Sequence, residues 1–193
     1  MRIKHLLPIA GAVAALGVSG VAAGAPAAHK VSHDSDAAHK SYSAWDKQWL
    51  QMSIEGDLFE IAGGKIAQDR AQSDAVKAYG KRLVEDHTKT LHDAVDLANE
   101  LGIEVPKAPS PSQQWELQAV SRFSGRDFDQ QYVDLEAKDH QQDISETKDE
   151  IDEGFNQDVR QNAKDDLPVL QEHLKIALSL GGKLGEDPLG GHD

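Results

Sequence analysis

The sequence predicts an all-α protein: an antiparallel four-helix bundle with a short extra helix in its crossing connection. Two observations carry this. No segment alternates apolar and polar residues with period two over the length of a strand. Apolar residues instead recur three and four positions apart through four long stretches between Trp45 and Leu180. The composition agrees, with only 5% aromatics and a body dominated by Ala, Asp, Gln, Leu and Lys, a helix-forming balance.

Trp45, Trp49, Met52, Phe59 and Ile66 mark a first helix of about 25 residues. Gly56, Gly63 and Gly64 lie inside it, each costing about 1 kcal/mol relative to Ala, so another element is expected to pack closely there. Ser73 is the N-cap of a second helix whose stripe is Val76, Gly80, Leu83, His87, Leu91, Ala94, Ala98 and Leu101. Gly102 stands where a C′ glycine belongs, and Pro106, Pro109 and Pro111 stiffen a crossing loop. A short helix from Ser112 to Phe123 precedes a break at Ser124-Gly125. Ser124 with Asp127 then resembles a capping box that opens a third long helix, which Gly154 ends after Glu153. Asn156 caps the last helix, with the stripe Val159, Ala163, Leu167, Leu170, Leu174 and Ala177. Pro168 is expected to kink this helix or to mark a restart after Asp166.

The ends read differently. Arg2, Lys4 and His5 precede an uncharged run from Leu6 to Ala23, and Ala25-Pro26-Ala27 fits a cleavage site, with Ala23 as an earlier option. Residues 1–27 are therefore expected to be a cleavable secretory signal peptide. A membrane anchor is the other reading of such a run, disfavoured because it is mostly Ala and Gly with Pro8 inside and only weakly apolar. Twin arginines are absent, which favours the general secretory route, to the periplasm or beyond. Residues 28–44 read as a disordered, His-bearing arm, 45–180 as the bundle domain, and 181–193 as a flexible Gly-rich tail.

The 193-residue chain carries 20 Lys+Arg against 33 Asp+Glu, a formal charge of −13, and loss of Arg2 and Lys4 with the leader makes it −15. Such a balance argues against nucleic acid and anionic membrane as partners. A protein partner and a homo-oligomer stay open. The chain has no Cys, which excludes disulfides, Cys-based zinc sites, iron–sulfur clusters and a thiol nucleophile. An exported fold of this kind is held by helix packing or by a bound ligand.

The nine His are the oddity of so acidic a chain. At about 100° per residue, His87 falls in the middle of the second helix's apolar stripe, His140 among Val133, Ala137, Ile144, Thr147 and Ile151, and His173 beside Leu170 and Ala177. His92 falls on a polar face, and His29, His33, His39 and His192 lie in the arm and tail. The first helix contributes Glu60, on the line of Trp49, Gly56, Gly63 and Ala67, and a buried carboxylate needs a cation as partner. Glu60, His87, His140 and His173 are therefore candidate ligands for a divalent metal: iron, zinc, copper or manganese. Asp129, Glu136 and Asp143 flank the His140 stripe at seven-residue intervals as further ligands, supporting partners or a simple rim. A di-iron carboxylate site needs Glu-x-x-His on two helices, yet the residues three before the inward His are Val84, Ala137 and Leu170. Each His instead follows an acid (Asp86, Asp139, Glu172) that points about 100° away from it, poorly placed to orient that His but able to reach one on an adjacent helix.

Several short motifs occur in order: Asp86-His87-Thr88-Lys89, Gly102-Ile103-x-Val105-Pro106, Ser124-Gly125, Phe128-Asp129-x-x-Tyr132 with His140 eight residues on, and Leu167-Pro168-x-Leu170-x-x-His173-Leu174. The set resembles the exported bacterial family catalogued as domain of unknown function 4142, regarded as ferritin-like, from Trp45 to Leu180. The resemblance implies a ferritin-like four-helix bundle outside the cytoplasm and emphasises Glu60, His87, Asp129, Tyr132, His140 and His173. Glu136 departs from it, because that position is more often apolar in the family. No reaction follows from the resemblance.

The leading expectation is an exported mononuclear metal-binding bundle in metal handling or envelope stress, without catalytic turnover. The alternative is a structural or interaction module whose buried His respond to pH. An oxidoreductase with Tyr132 as redox neighbour ranks below both, since no Gly-rich nucleotide loop and no nucleophile elbow are present.

Overall fold

A computed structural model describes residues 40–186, and these described residues form five α-helices and no strand. They are α1 (Ala44–Arg70), α2 (Asp74–Leu101), α3 (Pro111–Val120), α4 (Gly125–Glu153) and α5 (Gln157–Glu186). The four long helices pack as a bundle: α1 lies along α2, α4 along α5, and contacts of α1 with α4 and of α2 with α5 join the two pairs. The expected leader, residues 28–39 of the arm and residues 187–193 lie outside the described residues. No described helix is long and apolar enough to cross a membrane.

Local signals account for most helix ends. Ser43 and Asp46 form a capping box at the start of α1. Ser73 caps α2 through its hydroxyl, and Gly102 ends it at φ +69°, a left-handed conformation that a residue with a Cβ resists. Ser110 with Gln113 caps α3, and Pro111 fills its first turn, where no backbone donor is required. Gly154 ends α4 as expected, and the Asn156 side chain accepts from the backbone of Asp158 and Val159 to start α5.

Three expectations need correction. Ser124 makes no side-chain cap, because Gly125 enters α4 at φ +59° and takes the chain out of capping geometry. The restart at Pro168 does not occur: α5 runs through it. Pro168 is exposed, beside exposed Lys164 and Asp165, on the side of a helix where water replaces a lost backbone donor at least cost. The last helix also continues past Gly181 to Glu186, six residues into the expected tail. Leu184 packs on the core there, and its carbonyl accepts from Arg126.

The crowding expected around the α1 glycines is concentrated at Gly64. A Cβ on Gly64 would stand 2.5 Å from the Gly80 carbonyl oxygen, and one on Gly80 would stand 2.7 Å from that of Gly64. The backbones of α1 and α2 therefore touch at this crossing.

The apolar core is divided. One cluster gathers Ala67, Val76, Tyr79, Leu83, Phe128, Tyr132, Val133, Ala177 and Leu180. The other gathers Trp49, Leu50, Ile54, Ala94, Ala98, Val159 and Ala163. Between these clusters each long helix also buries polar residues, Asp57 and Glu60, His87, Glu136 and His140, Asp166 and His173, alongside Phe59, Ile144 and Leu170. A polar layer thus crosses the bundle at mid-height, sealed above and below.

Candidate metal centre

Three of the four long helices each send one imidazole into this layer. The rings of His87, His140 and His173 form a triangle with centroids 5.8, 5.0 and 5.3 Å apart, and all three side chains are buried. A nitrogen from each lies within 4.8 Å of the other two. Helical periodicity alone brings them here, because each sits one or two turns from apolar residues of the same stripe.

The outward-facing nitrogens are all engaged by acceptors. His87 Nδ1 donates to Asp57 Oδ1 at 2.8 Å, and Thr90 donates to the same oxygen at 2.6 Å. His140 Nδ1 donates to the Glu136 carbonyl at 2.9 Å. His173 Nε2 donates to Asp86 Oδ2 at 2.9 Å, and Arg82 also contacts that carboxylate. These acceptors place the hydrogens outward and leave bare lone pairs on His87 Nε2, His140 Nε2 and His173 Nδ1. His87 Nε2 is buried without a partner. His140 Nε2 and His173 Nδ1 face each other at 3.3 Å.

Protonation does not relieve this contact. Burial, with His87 and His173 adding to it, holds His140 well below the usual imidazole range. Burial and the proximity of His87 lower His173 to about 4, against the opposing pull of Asp86. The neutral rings therefore present facing lone pairs in a dry setting. Ligands about 2.0–2.1 Å from a tetrahedral metal sit about 3.3–3.4 Å from one another, so the His140–His173 spacing is that of two nitrogens on one ion. Orientation of each imidazole by a carboxylate or carbonyl on its far side is the arrangement that metal-bound His adopt. The residues fit a divalent metal.

Glu60 is not part of this triangle. It is fully buried, and its Oε1 lies 3.7 Å from His140 Nδ1, on the opposite edge of the ring from the shared lone pairs. Glu136 Oε2 lies on the same edge at 3.8 Å. Burial and mutual repulsion push Glu60 well above the carboxylate range, and burial raises Glu136 to about 7. Tyr132 is buried beside Glu136, its Oη without a hydrogen-bond partner.

Asp129 has another task. Its two oxygens accept from the backbone of Gln72 and Ser73 at 2.9 and 2.8 Å, so it closes the turn between α1 and α2 and has no lone pairs aimed at the histidines. His92 is exposed, near Asp93 and Asp96. Asp57 was not singled out from the sequence, although it lies three residues before Glu60 on the same face of α1. Asp86 follows the expected geometry of an acid that reaches a neighbouring helix; Glu172 instead pairs with exposed Lys175.

Residues 31–180 match the family described as domain of unknown function 4142. The chain belongs to that family. Neither a curated protein nor a solved structure matches it. In this member of the 4142 family the positions behind the resemblance divide by task. His87, His140 and His173 converge on one point, Glu60 and Tyr132 stand with Glu136 on the far edge of His140, and Asp129 holds a turn.

Proposed function

We propose that this protein is an exported, ferritin-like metal-binding bundle, and that its resident divalent ion is held by His87, His140 and His173. The observation that carries the reading is the 3.3 Å approach of His140 Nε2 to His173 Nδ1, each with its other nitrogen already donating. Three imidazoles suit zinc, copper or iron, and they leave a fourth position open. Such an ion would supply positive charge to a layer rich in buried acids. Work in metal handling or envelope stress outside the cytoplasm accords with this, as does an acidic surface that attracts cations.

The antiparallel, ferritin-like threading is supported by the order of the two core clusters along the chain. α1 and α5 run from the Trp49 cluster toward the Tyr132 cluster, and α2 and α4 run the other way. Helices α2 and α4 are thus codirectional, which requires a long crossing between them, and residues 102–124 with α3 supply it.

Metal analysis of the protein purified from its exporting host tests the reading, together with thermal unfolding with and without chelator. About one tightly held ion per chain and a lower melting temperature on chelation are expected. Metal-free protein whose melting temperature no divalent ion raises would refute it, and would leave the His as buried structural groups.

A further inference from the structure

The Nδ1 edge of His140 faces a second polar chamber that the three-histidine position does not use. Glu60 from α1 and Glu136 from α4 meet there, both at 0% exposure, and all four of their carboxylate oxygens are buried without a hydrogen bond. Asp139 Oδ2 and Tyr132 Oη are buried and unpartnered as well. Glycine makes the room: a Cβ on Gly63 would stand 3.4 Å from Glu136 Oε1 and 3.5 Å from Tyr132 Cε2.

The groups in reach of one another are acceptors, apart from the Tyr132 hydroxyl beside Glu136, which can serve only one of the several carboxylate oxygens. Glu136 and Asp139 both come within hydrogen-bonding range of Glu60. The donor they share as a neighbour, His140 Nδ1, is already committed to the Glu136 carbonyl. Among the described residues no Lys or Arg pairs with Glu60 or Glu136, whose only ion-pair contact is His140. Oxygens of Glu60 and Glu136 lie within 4.8 Å of one another, close enough to share one ion, while the equally near His140 Nδ1 carries its hydrogen and is not a ligand. Buried carboxylates without donors persist where a cation or a proton lies between them.

We propose that Glu60 and Glu136, with Asp139 in reach, hold a second divalent cation beside the three-histidine position. The proposal rests on the reading of that position as a metal site, since His140 stands between the two. The second position offers carboxylate oxygens, so it selects a harder ion, such as manganese or iron(II), than imidazoles alone would. It is reached without Glu-x-x-His spacing, because the carboxylates come from α1 and from one turn before His140 on α4.

The test is the ion count of the intact, metal-stripped protein loaded with excess Mn²⁺. Two ions per chain are expected for the wild type, one for the Glu60→Gln/Glu136→Gln variant, and one for His87→Gln, which keeps the carboxylate position. One ion in the wild type that the double Gln variant retains would overturn the second position, assign a shared proton to the two acids, and leave the histidine site standing. No ion in the wild type would overturn both. If the double variant does not fold, the wild-type Mn²⁺ resonance spectrum decides: an ion free of nitrogen couplings supports the proposal, and nitrogen couplings on every bound ion overturn it.

Discussion

Asp86 hydrogen-bonds His173 across 87 residues of sequence, Oδ2 to Nε2 at 2.9 Å, although its neighbour in the chain is His87. A helix turns about 100° per residue, so adjacent side chains diverge and an acid beside a His serves the next helix. The bond fixes the His173 tautomer and turns Nδ1 toward His140. Asp86→Asn replaces the acceptor with a group that can donate, and it is expected to weaken metal affinity about 10–100-fold. Competition against a calibrated chelator measures this, with Glu172→Gln as the control that changes nothing. Equal affinity in Asp86→Asn and wild type would show that His173 needs no such support.

Asp129 shares the seven-residue spacing of Glu136 and Asp143 but works at the turn between α1 and α2. Its replacement by Ala leaves two backbone donors without their acceptor and should cost about 1–3 kcal/mol of unfolding free energy. Urea unfolding gives that number, and metal analysis of the same sample should give the wild-type ion count. A lost ion with unchanged stability would return Asp129 to the ligand set.

The two outcomes show what helical periodicity can and cannot reveal. It placed His87, His140 and His173 inward because a 3.6-residue repeat determines which face of a helix is buried, independently of its partners. It could not distinguish Asp129 from Glu136, since both lie on the inward side of α4 and only the height of the neighbouring turn separates them. Nothing in the sequence marks Asp57 for the same reason: its role depends on Thr90 and His87 arriving from α2. Of the kink or restart that Pro168 implies, the restart does not occur, because a proline on an exposed helix face forfeits a hydrogen bond that water can replace. Gly63 and Gly64 were legible as a close approach, but not as two different ones, the former against Glu136 and the latter against Gly80.

Gly64→Ala tests the backbone crossing. The new methyl would stand 2.5 Å from the Gly80 carbonyl oxygen and 2.9 Å from Val84 Cγ2, and the backbone atom cannot rotate away. The helix-propensity gain of about 1 kcal/mol is expected to be outweighed by overpacking of about 1–3 kcal/mol or more. Gly182→Ala, with nothing within 4 Å, should instead be neutral or stabilising. A Gly64→Ala denaturant midpoint below the wild type, with that of Gly182→Ala at or above it, would bear this out; a more stable Gly64→Ala would contradict the crossing.

Glu150 makes stability depend on pH in an unusual direction. It lies buried near the end of α4, with both oxygens lacking a partner, beside Asp46. Burial pushes the Asp46 carboxyl up, but hydrogen bonds from Ser43, Asn156 and Phe155 outweigh it, so Asp46 stays charged and its value falls. Burial and then the Asp46 charge raise Glu150 to about 8. In the unfolded chain a Glu releases its proton near pH 4.3 or so. Between roughly pH 4.3 and 8 the folded protein therefore keeps a proton that the unfolded chain has lost, and this group's contribution declines as pH rises through that window. Glu150→Gln carries the neutral form at every pH. The variant should match the wild type near pH 4.5 and exceed it increasingly up to pH 8.5, in unfolding curves recorded on metal-stripped protein. Wild-type and variant stabilities that stay parallel across the window would mean that Glu150 is already ionised in the fold.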